Sequence, residues 1–176
     1  MQLGMLIDLA QTDSSVRVIF IHGGKNFTSG SNMSNYGKDS ALLEKETFYQ
    51  SFSASKMYAN TSAIMAIKNS VKPIVGLVRG WNFGNGFAIS SFFTFLYCTP
   101  EAKFIAPAVA AFSTPEAATT LMFPKIIGSR KANELILLST PLTAQEAKRF
   151  NFVNEILTEL EDEGDWPEMK KIPAIS

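Results

Sequence analysis

Among 176 residues there is one cysteine and one histidine. Cys98 has no partner for an internal disulfide, and with His22 it leaves no ligand cluster for a structural zinc site, so the chain fits a reducing compartment and no metal centre is expected. His22 reads as structural, ending a strand, and with no second His and no Cys near it a hydrolase triad has little support. Charge excess is also lacking. Sixteen basic and sixteen acidic residues cancel, which removes the electrostatic footprint of a nucleic-acid or anionic-membrane binder and leaves a small-molecule or protein partner. No apolar run reaches the about 20 residues of a bilayer span; the most apolar one, Phe83 to Cys98, is broken by Gly and Ser and reads as buried core. Met1 to Ala10 lacks the basic start and long apolar centre of a signal peptide. There is no fixed-period repeat.

What is present is apolar and aromatic: 46% apolar residues, 14 of the chain's residues being Phe, enough for one domain with a substantial core. Leu3, Leu6, Ile7 and Ala10 recur at helical spacing, and Asp13-Ser14-Ser15 breaks that helix. Val16 to Ile21 reads as a buried strand, followed by a polar loop from Lys25 to Asn32. From Ala41 to Asn69 the spacing of Leu42, Phe48, Phe52, Ile64 and Ile67 predicts one long helix or two joined ones. Pro73 starts a second strand, a helix is expected from about Gly86 to Leu96, and Lys103 to Ile105 is a short strand. Thr114 and Pro115 look like the N-cap and first residue of a helix with Glu116 in its first turn. Gly128-Ser129 and Thr143-Ala144-Gln145-Glu146 start two more helices, the second by a capping box, and Phe152 to Leu157 closes as a strand. The order is a helix, then repeated β–α units. Residues 1–157 form the core and residues 158–176 an acidic extended tail, with Trp166 as a candidate contact for a partner.

Two stretches attract attention. Pro73 to Ser90 is a short strand running through Gly80, Gly84 and Gly86 into an apolar helix. Such a turn can bring backbone N–H groups close to an anion or a developing oxyanion, though it also suits an ordinary strand-to-helix connection. Phe27-Thr28-Ser29-Gly30 likewise follows the end of a strand and could point amides at the same spot. With a carboxylate at Glu116, this is a toolkit for abstracting a proton beside a carbonyl: a base takes the proton while two N–H groups hold the charge that builds on the oxygen. Glu116 equally suits a carboxylate stabilising a helix N-terminus.

The run from Val16-Arg17-Val18-Ile19 to Phe27-Thr28-Ser29-Gly30-Ser31-Asn32, then Lys72-Pro73-Ile74-Val75 to Gly80, then Ala102-Lys103-Phe104 and Pro115-Glu116, resembles the crotonase (enoyl-CoA hydratase/isomerase) superfamily. The resemblance covers about Asp13 to Leu157. It implies an α/β fold, a spiral of ββα turns shortened here at both termini, and coenzyme A thioesters as substrates, with no separate cofactor. Hydratases of the family carry two glutamates at positions that here are Ala88 and Ala108, so a two-glutamate hydration mechanism is not expected. The peroxisomal-type delta isomerases instead place one glutamate in a segment similar to Ser113-Thr114-Pro115-Glu116, followed by a Phe-Pro-Lys like Phe123-Pro124-Lys125.

By that resemblance Glu116 is the acid/base, the backbone N–H groups of Ser29 and Asn85 form the oxyanion hole, and Lys25, Phe27, Gly30, Gly84 and Gly86 bind substrate, Lys25 through a phosphate of coenzyme A. The family usually has Asp where this chain has Asn32, Asn where it has Arg79 and Asp where it has Thr94. A catalytically reduced subunit with a structural role in a larger complex, or a thioester-binding protein without turnover, is therefore the alternative to an enzyme. The resemblance also implies a homotrimer or a larger assembly, covering apolar surface from Phe83, Phe87, Phe92, Phe93 and Phe95, and a mitochondrial or peroxisomal matrix. Ala174-Ile175-Ser176 is not the usual peroxisomal ending.

Overall fold

The structure, a computed structural model, describes residues 2–30, 62–112 and 114–158. Asn32, most of the stretch expected to be helical between Ala41 and Asn69, and the tail with Trp166 lie outside these residues.

The chain alternates between two sheets. Strands β1 (Ile19–His22), β2 (Ile74–Val78), β4 (Phe95–Cys98) and β7 (Glu155–Ile156) form a four-stranded sheet in the order β1-β2-β4-β7, every pair parallel. Strands β3 (Trp81–Phe83), β5 (Lys103–Ile105) and β6 (Leu142–Thr143) form a second sheet in the order β3-β5-β6. Each strand of the first sheet from β2 to β4 is followed by one of the second and then by helix: β2-β3-α3 (Asn85–Ser90), then β4-β5-α4 (Thr119–Ile127) and α5 (Ser129–Leu137). After β6, α6 (Ala144–Arg149) returns the chain to β7. This is the expected α/β spiral of ββα turns. All five residues of β2 are buried, as befits a central parallel strand covered on both faces.

The helices α1 (Gln2–Thr12) and α2 (residues 62–68) cover one end of the four-stranded sheet, with Ile7, Ala66, Ile67 and Ile74 in one buried cluster. The spacing of Leu3, Ile7 and Ala10 is used as expected, while Leu6 faces outward. Lys72 secures the end of α1, its Nζ donating to the carbonyls of Ala10 and Asp13 at 2.7 and 2.5 Å, where a cation is favoured by the helix dipole.

The strands read at Val16 to Ile21 and Phe152 to Leu157 are shorter, Ile19–His22 and Glu155–Ile156, with Ile19 to Ile21 half-buried, and β3 and β6 were not anticipated; two further elements differ in kind. The helix after the glycine turn stops at Ser90, not Leu96, and Phe95–Cys98 is strand β4. The Ser90 and Ser91 hydroxyls donate back to the Phe87 and Ala88 carbonyls at 2.8 and 2.6 Å, offering the chain a way out of the helix. Thr94 then clips it to β2: its N–H donates to the Ile74 carbonyl at 2.8 Å and its Oγ1 accepts from the Ile74 N–H at 3.0 Å. The second difference is at Pro115, where no helix begins; α4 starts at Thr119. Ala117 and Ala118 both adopt left-handed conformations, φ 52° and 55°, which an α-helix cannot include. The register of α4 is set instead by burial of Thr119, Phe123 and Ile127 along one face.

The main core gathers Val78, Leu96, Phe104, Phe123, Leu135, Leu142 and Phe152 around Phe87. Phe87 is ringed by Phe123, Phe152 and Phe104 at centroid separations of 4.5, 4.8 and 5.4 Å, within the range of favourable tilted and edge contacts. Phe83, Phe92, Phe93 and Phe95 are half-buried. Exposed large apolar side chains among the described residues include Met5, Leu6 and Leu9 on α1, Val71, Trp81 beside Phe83, Leu137 and Leu138, and Phe112, which is 101% exposed.

Candidate active site

The loop after β1 and the strand after β2 run side by side. Phe27 N–H donates to the Arg79 carbonyl at 2.9 Å, Thr28 N–H to the Trp81 carbonyl at 3.0 Å, and the Thr28 carbonyl accepts from Phe83 N–H at 3.2 Å. Thr28 and Asn82 form a parallel bridge, so this loop is a further edge of the second sheet. Asn26 ties the seam from the side, its Oδ1 accepting from Trp81 N–H at 3.0 Å. The far strand holds the turn in turn: Gly84 N–H donates to the Ile105 carbonyl at 2.8 Å and Lys103 N–H to the Gly80 carbonyl at 2.9 Å.

At the end of the seam the two glycine turns meet. Gly30 has φ 85° and Gly84 φ 62°, conformations that favour glycine, and a Cβ placed on Gly84 would sit 3.8 Å from the Gly30 Cα. Gly86, in the first turn of α3, lies against the Thr28 side chain. The structure thus brings Phe27, Ser29, Gly30, Gly84, Asn85 and Gly86 into one neighbourhood. Neither the Ser29 nor the Asn85 backbone N–H donates a hydrogen bond to any partner among the described residues. Asn85 is the first residue of α3, where the N–H has no intrahelical acceptor.

The side chains of Phe27, Lys25 and Glu116 make no hydrogen bond to this seam among the described residues. Phe27 is half-buried with its ring edge toward Phe93, centroids 6.3 Å apart, and so packs on the core beneath the loop. The Lys25 side chain is exposed. Glu116 is exposed, and no hydrogen bond or ion pair joins its carboxylate to either glycine turn among the described residues. Its carbonyl accepts from both the N–H and the Oγ1 of Thr119, at 3.1 and 2.9 Å. Glu116 is therefore outside α4, which removes the simple reading of a carboxylate in a first helical turn. Two consecutive left-handed alanines follow it, each costing about 1–3 kcal/mol. This strained link connects Glu116 to Phe123, which touches Phe87 one residue beyond Gly86.

Ala88 is buried in α3 and Ala108 half-buried in the loop after β5, and neither can act as an acid or base. His22 is exposed at the end of β1 with its Nδ1 3.1 Å from the Gly23 carbonyl. No cluster of three or more His, Cys, Asp or Glu able to hold a metal occurs among the described residues. Two residues of the seam, Thr28 and Asn82, were not singled out from the sequence; their role depends on pairing across the two loops.

A profile of the enoyl-CoA hydratase/isomerase family matches residues 3–169, and the chain belongs to that family, within the crotonase superfamily. Among its members the chain is similar to the delta isomerases. It is 30% identical over 168 residues to the peroxisomal enoyl-CoA delta isomerase 3 of Mus musculus, covering 95% of this chain and 51% of that protein. It is also 30% identical over 171 residues to enoyl-CoA delta isomerase 2 of Rattus norvegicus, covering 95% and 42%. A shorter match, 29% over 100 residues, joins it to carnitinyl-CoA dehydratase of Escherichia coli strain K12, covering 57% and 38%. The chain thus spans about half the length, or less, of the curated relatives it matches. The enoyl-CoA hydratase/isomerase of Pseudoalteromonas atlantica shares the fold, with a TM-score of 0.74 at 23% identity over 89% of this chain and 58% of that one.

Proposed function

We propose that this chain moves the double bond of a 3-enoyl thioester of coenzyme A to the 2-position. The observation that carries the reading is the seam that leaves the Ser29 and Asn85 N–H groups unpaired among the described residues, beside two touching glycine turns. Two such donors suit a thioester oxygen that gains negative charge, and donors of this kind are typically worth about 10²–10³ in rate each. In this reading Glu116 takes the proton from C2. The electrons of that C–H bond flow into the thioester carbonyl to give a dienolate held by the two amides, and the same carboxyl returns the proton to C4, leaving the double bond between C2 and C3. Lys25 meets a phosphate of coenzyme A, and Phe27, Gly30, Gly84 and Gly86 line the thioester end of the site. The similarity to two delta isomerases and the alanines at 88 and 108 favour isomerisation over hydration. A matrix compartment, for which the peroxisomal designation of the mouse relative gives support, and a homotrimer or larger assembly complete the proposal.

A second reading, a crotonase-fold subunit without turnover, is favoured by one observation: Glu116 is exposed and, among the described residues, no hydrogen bond or ion pair joins its carboxylate to the glycine turns. Both are tested by assaying conversion of a 3-enoyl-CoA to the 2-enoyl-CoA by the parent protein and by Glu116→Gln. The first reading expects turnover in the parent and a loss of about 10²-fold or more in the variant, with thioester binding retained. Equal turnover would remove Glu116 from the mechanism, and thioester binding with no turnover in the parent would favour the second reading.

A further inference from the structure

Thr28 is engaged through every group it has. Its N–H and carbonyl bind the β3 strand at Trp81 and Phe83, at 3.0 and 3.2 Å. Its Oγ1 accepts from the Gly30 N–H at 3.1 Å, tying the turn that carries Ser29. Its Cγ2 methyl fills the space beside Gly86: a Cβ there would fall 1.8 Å from that methyl, 2.9 Å from the Thr28 Cβ and 3.0 Å from the Asn82 Oδ1. Opposed residues of a parallel pair place their side chains on one face of the sheet, which is why Thr28 and Asn82 reach the same glycine. Asn82 is wholly buried; its Nδ2 donates to Ser90 Oγ at 3.1 Å while its Oδ1 has no hydrogen-bond partner among the described residues. Together the two side chains make the floor on which the first turn of α3 rests.

We propose that Thr28 is a positioning residue that sets the separation of the Ser29 and Asn85 N–H groups, its hydroxyl holding one turn and its methyl seating the other through Gly86. The inference rests on the proposed role of those amides, and it divides the work of one side chain into two separable halves. Serine keeps the hydroxyl and loses the methyl; valine keeps the methyl bulk and leaves the Gly30 N–H without its acceptor. An alanine at Gly86 meets the methyl and must push the turns apart. Donors that hold a developing oxyanion lose much of their effect when displaced, and a misplacement of about 1 Å can cost about 10²-fold.

The experiment compares the parent with Thr28→Ser, Thr28→Val, Gly86→Ala, and Gly86→Ala in the Thr28→Ser background. Thr28→Val should lower kcat by about tenfold or more with little change in KM, because the amides act on the transition state, and Thr28→Ser, which unseats the other turn, should also lower kcat without raising KM. Gly86→Ala should lower both kcat and Tm, and removing the methyl should restore part of each. Amide hydrogen exchange without substrate gives a readout free of turnover: Gly30 should exchange faster in Thr28→Val and not in Thr28→Ser. If the parent shows no isomerase activity, the proposed reaction fails while exchange and Tm still judge Thr28. Unchanged Gly30 exchange in Thr28→Val, or no recovery of Tm on removing the methyl from the Gly86→Ala protein, would overturn the positioning role.

Discussion

Phe87 and Phe123 lie with ring centroids 4.5 Å apart and planes inclined at 38°, joining the first turn of α3 to the helix that follows Glu116. Both rings are fully buried, and this contact links the carboxylate-bearing segment to the glycine seam.

Truncating that link should therefore be felt throughout the core. Phe87→Ala removes contacts with Phe104, Phe123 and Phe152 and should destabilise the fold by about 3–5 kcal/mol. Phe87→Leu, which keeps much of the volume, should cost clearly less. Urea denaturation midpoints measure both, and an unchanged midpoint for the alanine variant would contradict the placement of this ring.

Acid should weaken the contact between α5 and α6. The Thr143 N–H, and after it Lys131, hold the Glu146 carboxyl below its usual range. A carboxyl whose folded value lies below its unfolded one adds stability at neutral pH, and that contribution is lost as pH falls through the folded value. Glu146→Gln should thus be less stable than the parent at neutral pH, with the difference closing in acid. Denaturation series at several pH values give the comparison, and a gap that widens on acidification would reverse the assignment.

Burial first, then the charges of Glu101 and Glu155, push the Cys98 thiol up to about 12. With the side chain fully buried it should remain a protonated, unreactive thiol in the native protein. A thiol reagent at mildly alkaline pH should label it slowly without denaturant and quickly in urea. Fast labelling of the folded protein would place Cys98 at the surface.

Water addition to a 2-enoyl-CoA is the reaction this chain should not perform above background, since Ala88 and Ala108 provide no group to activate water. Measured hydration by the pure protein would mean that another carboxylate reaches the thioester.

Features governed by neighbouring residues were legible in the sequence. Lys103–Ile105 is the strand expected, and the box in which Thr143 Oγ1 accepts from Glu146 N–H while Glu146 accepts from Thr143 N–H is present as read. Strand β4 was hidden because Phe92 to Cys98 continues an apolar run with no Gly or Pro, and serine hydroxyls, not a breaker residue, end α3. The start of α4 was misread because Thr114-Pro115 is a good local signal that packing of Thr119 and Phe123 overrides. At the candidate site the glycines announced themselves by spacing. Thr28 and Asn82 did not, since a bridge between two distant loops leaves no mark on either one alone; the hint was that Thr28 sits between Phe27 and Ser29 and Asn82 midway between Gly80 and Gly84.

The bond from Trp81 N–H to Asn26 Oδ1 joins residues 55 positions apart, and the one from Leu96 N–H to Asn154 Oδ1 spans 58. Every pair in the four-stranded sheet is parallel, so none can close as a hairpin, and such long-range topologies fold slowly. Helical signal should accordingly return early when the denatured protein is diluted, and the pairing of the two glycine turns should return late. A nascent chain that has emerged only as far as its first glycine turn carries half of the proposed oxyanion site with nothing yet to lean on.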